Sequence, residues 1–69
     1  MDLRLTDPAY TERFASFLRS LGRTALVAGP DAVELIVDED AEARLETEIY
    51  LRVWNVLYPD AQVRIGATA

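Results

Sequence analysis

The spacing of apolar residues predicts a short strand and then a helix in the first third of the chain. Residues 3–5 alternate apolar and polar, which is typical of a strand with one buried face. Asp7 and Pro8 form a helix start, and Gly22 fits a left-handed C-cap. Between them one apolar stripe runs at helical spacing: Tyr10, Phe14, Phe17, Leu18 and Leu21.

Two apolar runs of strand length follow, at residues 23–28 and 32–37. The segment Gly29-Pro30-Asp31 joins them and has the composition of a tight turn, so the pattern predicts a β-hairpin. With a three-residue loop, Val27 faces Val33 and Ala25 faces Leu35, while Leu26 lies opposite Glu34 on the other face.

The second helix is predicted to begin at residues 38–40, where acidic groups favour the positive end of a helix dipole. Pro59 and Asp60 end it, and residues 61–65 alternate as a last strand. Its solvent side has an i,i+4 series of alternating charge: Asp40, Arg44, Glu48 and Arg52. Its core stripe is predicted as Ala41, Leu45, Ile49, Val53 and Val56, widened by Leu57, Tyr50 and Trp54.

The order β-α-β-β-α-β in 69 residues predicts one α+β domain spanning residues 1–69. The expected architecture is ferredoxin-like, a split βαβ arrangement with a four-stranded antiparallel sheet and two helices on one face. The expected strand order is 4-1-3-2, with the first strand between the third and the fourth.

The open face of that sheet supplies a first candidate site. Arg4 is expected beside Glu34 on one neighbouring strand and near Arg64 on the other. Two interpretations stay open, an anion or carboxylate site built on Arg4 and Arg64, and a cross-strand ion pair on a solvated face.

Aromatic residues of the second helix supply a second candidate. Tyr50, Trp54 and Tyr58 are spaced i, i+4, i+8 and form a stripe on the flank of the predicted core face. One interpretation is packing of this stripe against the aromatics of the first helix. The other adds Leu51 and predicts an exposed apolar patch, which makes Leu51, Trp54, Tyr58 and Tyr50 the interface candidates.

Composition excludes much chemistry. The chain has no Cys and no His, so disulfides, Cys nucleophiles and His bases are absent, and we expect no metal and no cofactor. Asp38, Asp40 and Glu42 have calcium-loop spacing, but Ala43 stands where that loop needs Gly.

Glu46 falls inside the apolar arc of the second predicted helix. Two interpretations are open: an acid with a raised pKa, or a carboxylate paired with an Arg such as Arg19 or Arg23.

Net charge is −5, which repels a phosphate backbone and argues against nucleic acid as a partner. No apolar run reaches the roughly 18 residues of a membrane span, and nothing at the N-terminus predicts a signal peptide. We therefore expect a small acidic cytoplasmic protein that contacts no membrane. The marginal size favours a partner subunit.

Known families of this fold differ at the residues that carry their functions. The predicted strands lack the aromatics of RNA-recognition domains, and the first loop lacks the Gly-rich phosphate cradle of acylphosphatases. Amino-acid-binding domains of the ACT type have a Gly after the first strand, where this chain has Thr6-Asp7-Pro8-Ala9. The resemblance to them is confined to element order.

The sequence therefore predicts a non-enzymatic interaction or regulatory module, either a homodimer or bound to another protein. The alternative is a small-molecule-sensing domain, ACT-like in use. A small enzyme relying on Glu46 or Tyr50 is the third possibility, since acid–base chemistry without His is feasible.

Overall fold

The computed structural model describes residues 1–37 and 40–66 and has the predicted order of elements. A four-stranded antiparallel sheet and two helices confirm the α+β class. Among the described residues, no helix has the length and apolarity needed to cross a membrane. The elements are β1 (Asp2–Leu5), a 3-10 turn (Pro8–Tyr10), α1 (Thr11–Ser20), β2 (Thr24–Gly29), β3 (Ala32–Ile36), α2 (Ala41–Leu57) and β4 (Val63–Ile65).

Local signals in the sequence fix both ends of α1. The Asp7 carboxylate accepts the Ala9 N–H at 3.0 Å, and Pro8 opens a 3-10 turn that leads into the helix. At the other end Gly22 has φ +81°, a conformation that L side chains rarely adopt. The N–H groups of Gly22 and Arg23 then bond back to Arg19 and Leu18.

The sheet has the order β2-β3-β1-β4, so β1 lies between β3 and β4 as expected. The hairpin register is also confirmed, with Val27 opposite Val33, Ala25 opposite Leu35 and Leu26 opposite Glu34. A bulge between Val27 and Gly29 leads into the turn. The outer strands leave Val27 and Ile65 partly exposed, because edge strands have a neighbour on one side only.

Both helices cover the same face of the sheet and meet at an aromatic cluster. Phe14 of α1 and Trp54 of α2 have ring centroids 4.9 Å apart in an edge-on arrangement. Both side chains are fully buried, together with Leu3, Val33 and Leu35 of the sheet. The core is therefore a single cluster between one sheet face and two helices.

The predicted core face of α2 is wrong except at Trp54. The buried residues of α2 are Thr47, Leu51 and Trp54. The stripe through Leu45, Ile49 and Val53 lies on the other side of the helix and is exposed. Trp54 decides the rotation, since its indole N–H donates to the Ala61 carbonyl at 2.7 Å inside the core. Asn55 then fixes α2 on β4 by exchanging two hydrogen bonds with the Val63 backbone, of 2.8 and 3.2 Å.

A matched pair of Leu→Ala substitutions tests this rotation. Leu51→Ala should lower the free energy of unfolding by about 2–5 kcal/mol, because it leaves a cavity in the core. Leu45→Ala should change it by less than about 0.5 kcal/mol, because Leu45 is exposed. Urea denaturation followed by circular dichroism in dilute solution measures both. Equal losses, or a larger loss at Leu45, would contradict the observed rotation.

Candidate functional site

The residues predicted as an exposed interface lie mostly in the interior. Trp54 is fully buried and Leu51 nearly so, while Tyr50 and Tyr58 are half-buried against the core. Trp54 lies 5.4 Å from the Phe17 ring and 4.1 Å from the Tyr58 ring, centroid to centroid. The packing interpretation is therefore confirmed for Trp54 and Tyr58, which contact rings of α1 and of the 3-10 turn before it. Tyr50 instead contacts Glu46 and Arg23. Trp54 and Leu51 are too buried to form an exposed patch, and an interface role of the half-buried Tyr50 and Tyr58 stays a prediction.

The rotation of α2 instead exposes a continuous apolar surface, here called the outer face. Its side chains follow helical spacing over about 18 Å, at 1.5 Å per residue. Isolated exposed apolar residues are common, but a contiguous stripe on one helix is typical of an interaction site. The outer face consists of Leu45, Ile49, Val53, Val56 and Leu57, exposed by 60, 50, 44, 80 and 58%.

Charged residues border the outer face on one side. Glu48 and Arg52 are both exposed and lie one helical turn apart. The predicted charge series along α2 does not form ion pairs, since the salt bridges within residues 1–37 and 40–66 all lie elsewhere. Glu48 and Arg52 thus border the apolar surface without a charged partner in the described part of the chain.

Glu46 belongs to a polar cluster that joins α2 to the start of β2. Its carboxylate accepts a hydrogen bond from the Tyr50 hydroxyl and forms an ion pair with Arg23, whose guanidinium lies 5.5 Å from the centre of the Tyr50 ring. The hydrogen bond from Tyr50, followed by that from Arg23, lowers the pKa of Glu46 below its ordinary value. The alternative in which Glu46 pairs with Arg23 is confirmed, and the alternative of a raised pKa is contradicted.

The open sheet face has the candidate site predicted around Arg4 and Arg64, but with different acidic neighbours. Arg4 and Arg64 are direct cross-strand partners, as expected. Glu34, however, lies opposite Asp2 rather than Arg4, and it pairs with the N-terminal ammonium group at 3.5 Å. The prediction that Arg4 lies beside Glu34 is therefore wrong, because the β1–β3 register differs from the expected one by two residues.

Arg4 is held by two other carboxylates. Its guanidinium lies 3.2 Å from Asp2 and 3.6 Å from Asp31. Gly66 lies close to this ion pair, and a Cβ there would approach the Asp2 carboxylate to 2.7 Å. Around these groups lies an open depression of about 490 Å³, lined by Arg4, Leu5, Thr6, Asp31, Arg64, Ile65 and Gly66.

Metal binding has no support in the described residues. Within residues 1–37 and 40–66, no three Asp or Glu side chains come together in an arrangement that could hold a metal ion. Asp38 and Glu39, part of the acidic run, lie outside the described residues. Asp40 caps α2 instead, with its side chain accepting the Ala43 N–H at 2.7 Å.

Sequence reasoning placed the outer face in the core. The available signal was the size of Trp54, which lies on the side that the structure buries. Five aliphatic residues on the other side of the helical wheel outweighed this one ring.

The Glu46 cluster predicts a pH-dependent contribution to stability. The folded-state pKa of Glu46 is lowered, so its contribution is full above the unfolded-state pKa near 4.5 and is lost as pH falls through the folded value. Glu46→Gln should therefore lower Tm more at pH 7 than at pH 2.5, as measured by thermal unfolding.

Glu12→Gln serves as the control, since Glu12 is exposed on α1 and has no ion pair within the described residues. It should shift Tm little at either pH. A loss of Tm for Glu46→Gln that is as large at pH 2.5 as at pH 7 would contradict an ionic role for this carboxylate.

Comparisons with known proteins do not indicate a function for this chain. No protein-family model, no curated protein and no solved structure matches this chain.

Proposed function

We propose that this protein is a non-enzymatic association module and that two copies pair through the outer face of α2. The observation that carries the proposal is the exposure of Leu45, Ile49, Val53, Val56 and Leu57 on one side of a single helix. Excluding water from such a surface is favourable by about 25 cal/mol per Å² of apolar area.

The outer face is not needed to complete the fold. Trp54 and Leu51 already close the core on the inner side of α2, and Asn55 fixes the helix to β4. A helix that is apolar on both sides in a domain of this size has one side available for a partner. The outer face therefore lowers the solubility of the monomer and does not stabilise its fold. This supports a role of the outer face in association.

A second copy of the chain is the partner that we propose for the outer face. A standard interface removes about 800 Å² from each partner, roughly a sixth of the 4571 Å² accessible surface of this chain. One side of the 17-residue helix α2 supplies the apolar centre of such an interface, and its charged border supplies the polar rim. Twofold pairing uses the same face on both copies, so no second apolar surface is required.

Sedimentation equilibrium over a wide concentration range tests the proposal. The wild type should be a dimer at high concentration, and Ile49→Asp should be a monomer because it places a charge in the centre of the outer face. Helical circular dichroism should remain, since Ile49 lies outside the core.

Leu26→Asp is the matched control. Leu26 is also exposed and apolar, but it lies on the open sheet face, so this variant should remain a dimer. A wild type that is monomeric at every concentration, or a dimer that Ile49→Asp leaves intact, would overturn the proposal.

A second candidate function, sensing of a small anionic or zwitterionic molecule, has support from the open sheet face. Arg64 lies directly opposite Arg4, and like charges in that position are unfavourable unless a counter-charge is present. Asp2 and Asp31 both engage Arg4, whereas Arg64 forms no ion pair within the described residues. The depression between them offers Arg64 to an anionic group and Asp31 to an ammonium group.

Thermal shift with sodium phosphate, free amino acids and nucleotides tests this second candidate. A ligand at 100 times its Kd should stabilise the protein by about 2.7 kcal/mol. Arg64→Gln should abolish the shift, and Arg44→Gln, which removes an exposed charge on α2, should retain it. A flat response of the wild type to every probe would overturn the sensing function.

A further inference from the structure

We infer that the two α2 helices of the pair run antiparallel, with Glu48 of each copy beside Arg52 of the other. The inference rests on the proposed pairing and adds its orientation and the residues that set it. It follows from the distribution of charge along α2 and from the side of the outer face on which Glu48 and Arg52 lie.

Charge is distributed unevenly along α2. The N-terminal half, together with the cap, carries four acidic residues against Arg44 alone: Asp40, Glu42, Glu46 and Glu48. Residues 49–57 carry no acidic residue and one basic residue, Arg52. A parallel pair would bring the two acidic halves together, whereas an antiparallel pair places each acidic half beside a half without acidic groups. Opposed helix dipoles favour the same orientation.

The position of Glu48 and Arg52 around the helix leads to the same orientation. At about 100° per residue, Arg52 lies about 60° and Glu48 about 100° from Ile49, both on the same side. In a twofold antiparallel pair, equivalent borders of the two helices meet. With the twofold axis near residue 50, Glu48 of each copy then lies level with Arg52 of the other.

A parallel twofold pair makes a different prediction for the same residues. In a parallel pair, one edge of the outer face meets the other edge of the second copy at the same height along the helix. Glu48 would then lie near Glu46 of the second copy, and Arg52 would lie near no acidic residue. Both Glu48 and Arg52 are exposed and lack an ion pair within the described part of the chain. They are therefore available for contacts between copies.

Charge reversal in the full chain tests the orientation by sedimentation equilibrium. Glu48→Arg and Arg52→Glu should each raise the dimer Kd about tenfold at low salt, because two symmetric contacts turn repulsive. The double variant, with both reversals, should return Kd to within about threefold of wild type. The effects of the single variants should shrink as ionic strength rises.

Arg44→Glu is the matched control for Arg52→Glu, since it makes the same change in net charge. Arg44 is exposed but lies about 140° from the middle of the outer face, beyond reach of a second copy. Its Kd should stay within about threefold of wild type.

The outcomes separate the orientation from the pairing itself. A wild type that is monomeric throughout overturns both. A dimer that Ile49→Asp dissociates, but that is insensitive to Glu48→Arg and Arg52→Glu, overturns the antiparallel orientation and leaves the proposed function standing. The antiparallel orientation is also overturned if the double variant keeps the raised Kd of the single variants. It is overturned as well if Arg44→Glu raises Kd as much as Arg52→Glu does.

Discussion

Burial of Trp54 is the constraint on which the rest of the structure depends. Its side chain is fully enclosed, contacts rings on both helices and donates a hydrogen bond to Ala61. A buried aromatic side chain removes about 150–250 Å² from water, and Trp54 is the largest fully buried side chain among the described residues. Once this ring and the adjacent Asn55 are in place, the rotation of α2 is fixed. The aliphatic residues on the opposite side then face solvent.

Features that depend on neighbouring residues could be predicted from the sequence. Asp7 and Pro8 mark a helix start, and Gly22 adopts the positive φ of its cap. The hairpin keeps the predicted pairing of Val27 with Val33, although its turn has two residues and a bulge before Gly29 rather than three loop residues. The face of α2 could not be predicted in the same way, because the helix is apolar on two sides. A helical wheel shows only which positions are apolar. The face of α2 that is buried depends on how the indole ring of Trp54 packs between Phe14 and Phe17.

Contacts between distant segments account for the other differences. The register of β1 against β3 is set without a short turn, so Arg4 finds Asp2 and Asp31 in place of Glu34. Glu46 had two open interpretations, a raised pKa or pairing with an Arg, and the fold brings Arg23, the residue before β2, to its carboxylate. The sequence predicts an apolar surface on α2 around Leu51 and Trp54, whereas the structure buries these residues and exposes Ile49 and Val53.

The outer face has a consequence for solubility. An exposed apolar surface promotes aggregation, and charge repulsion between molecules opposes it. In this protein the repulsion comes from a net charge of −5. The whole excess resides in residues 38–48, which hold six acidic residues and one Arg. Toward the isoelectric point near pH 4.4 the repulsion vanishes while the aliphatic surface is unchanged. Mild acid near the isoelectric point is therefore a condition that favours precipitation of this protein.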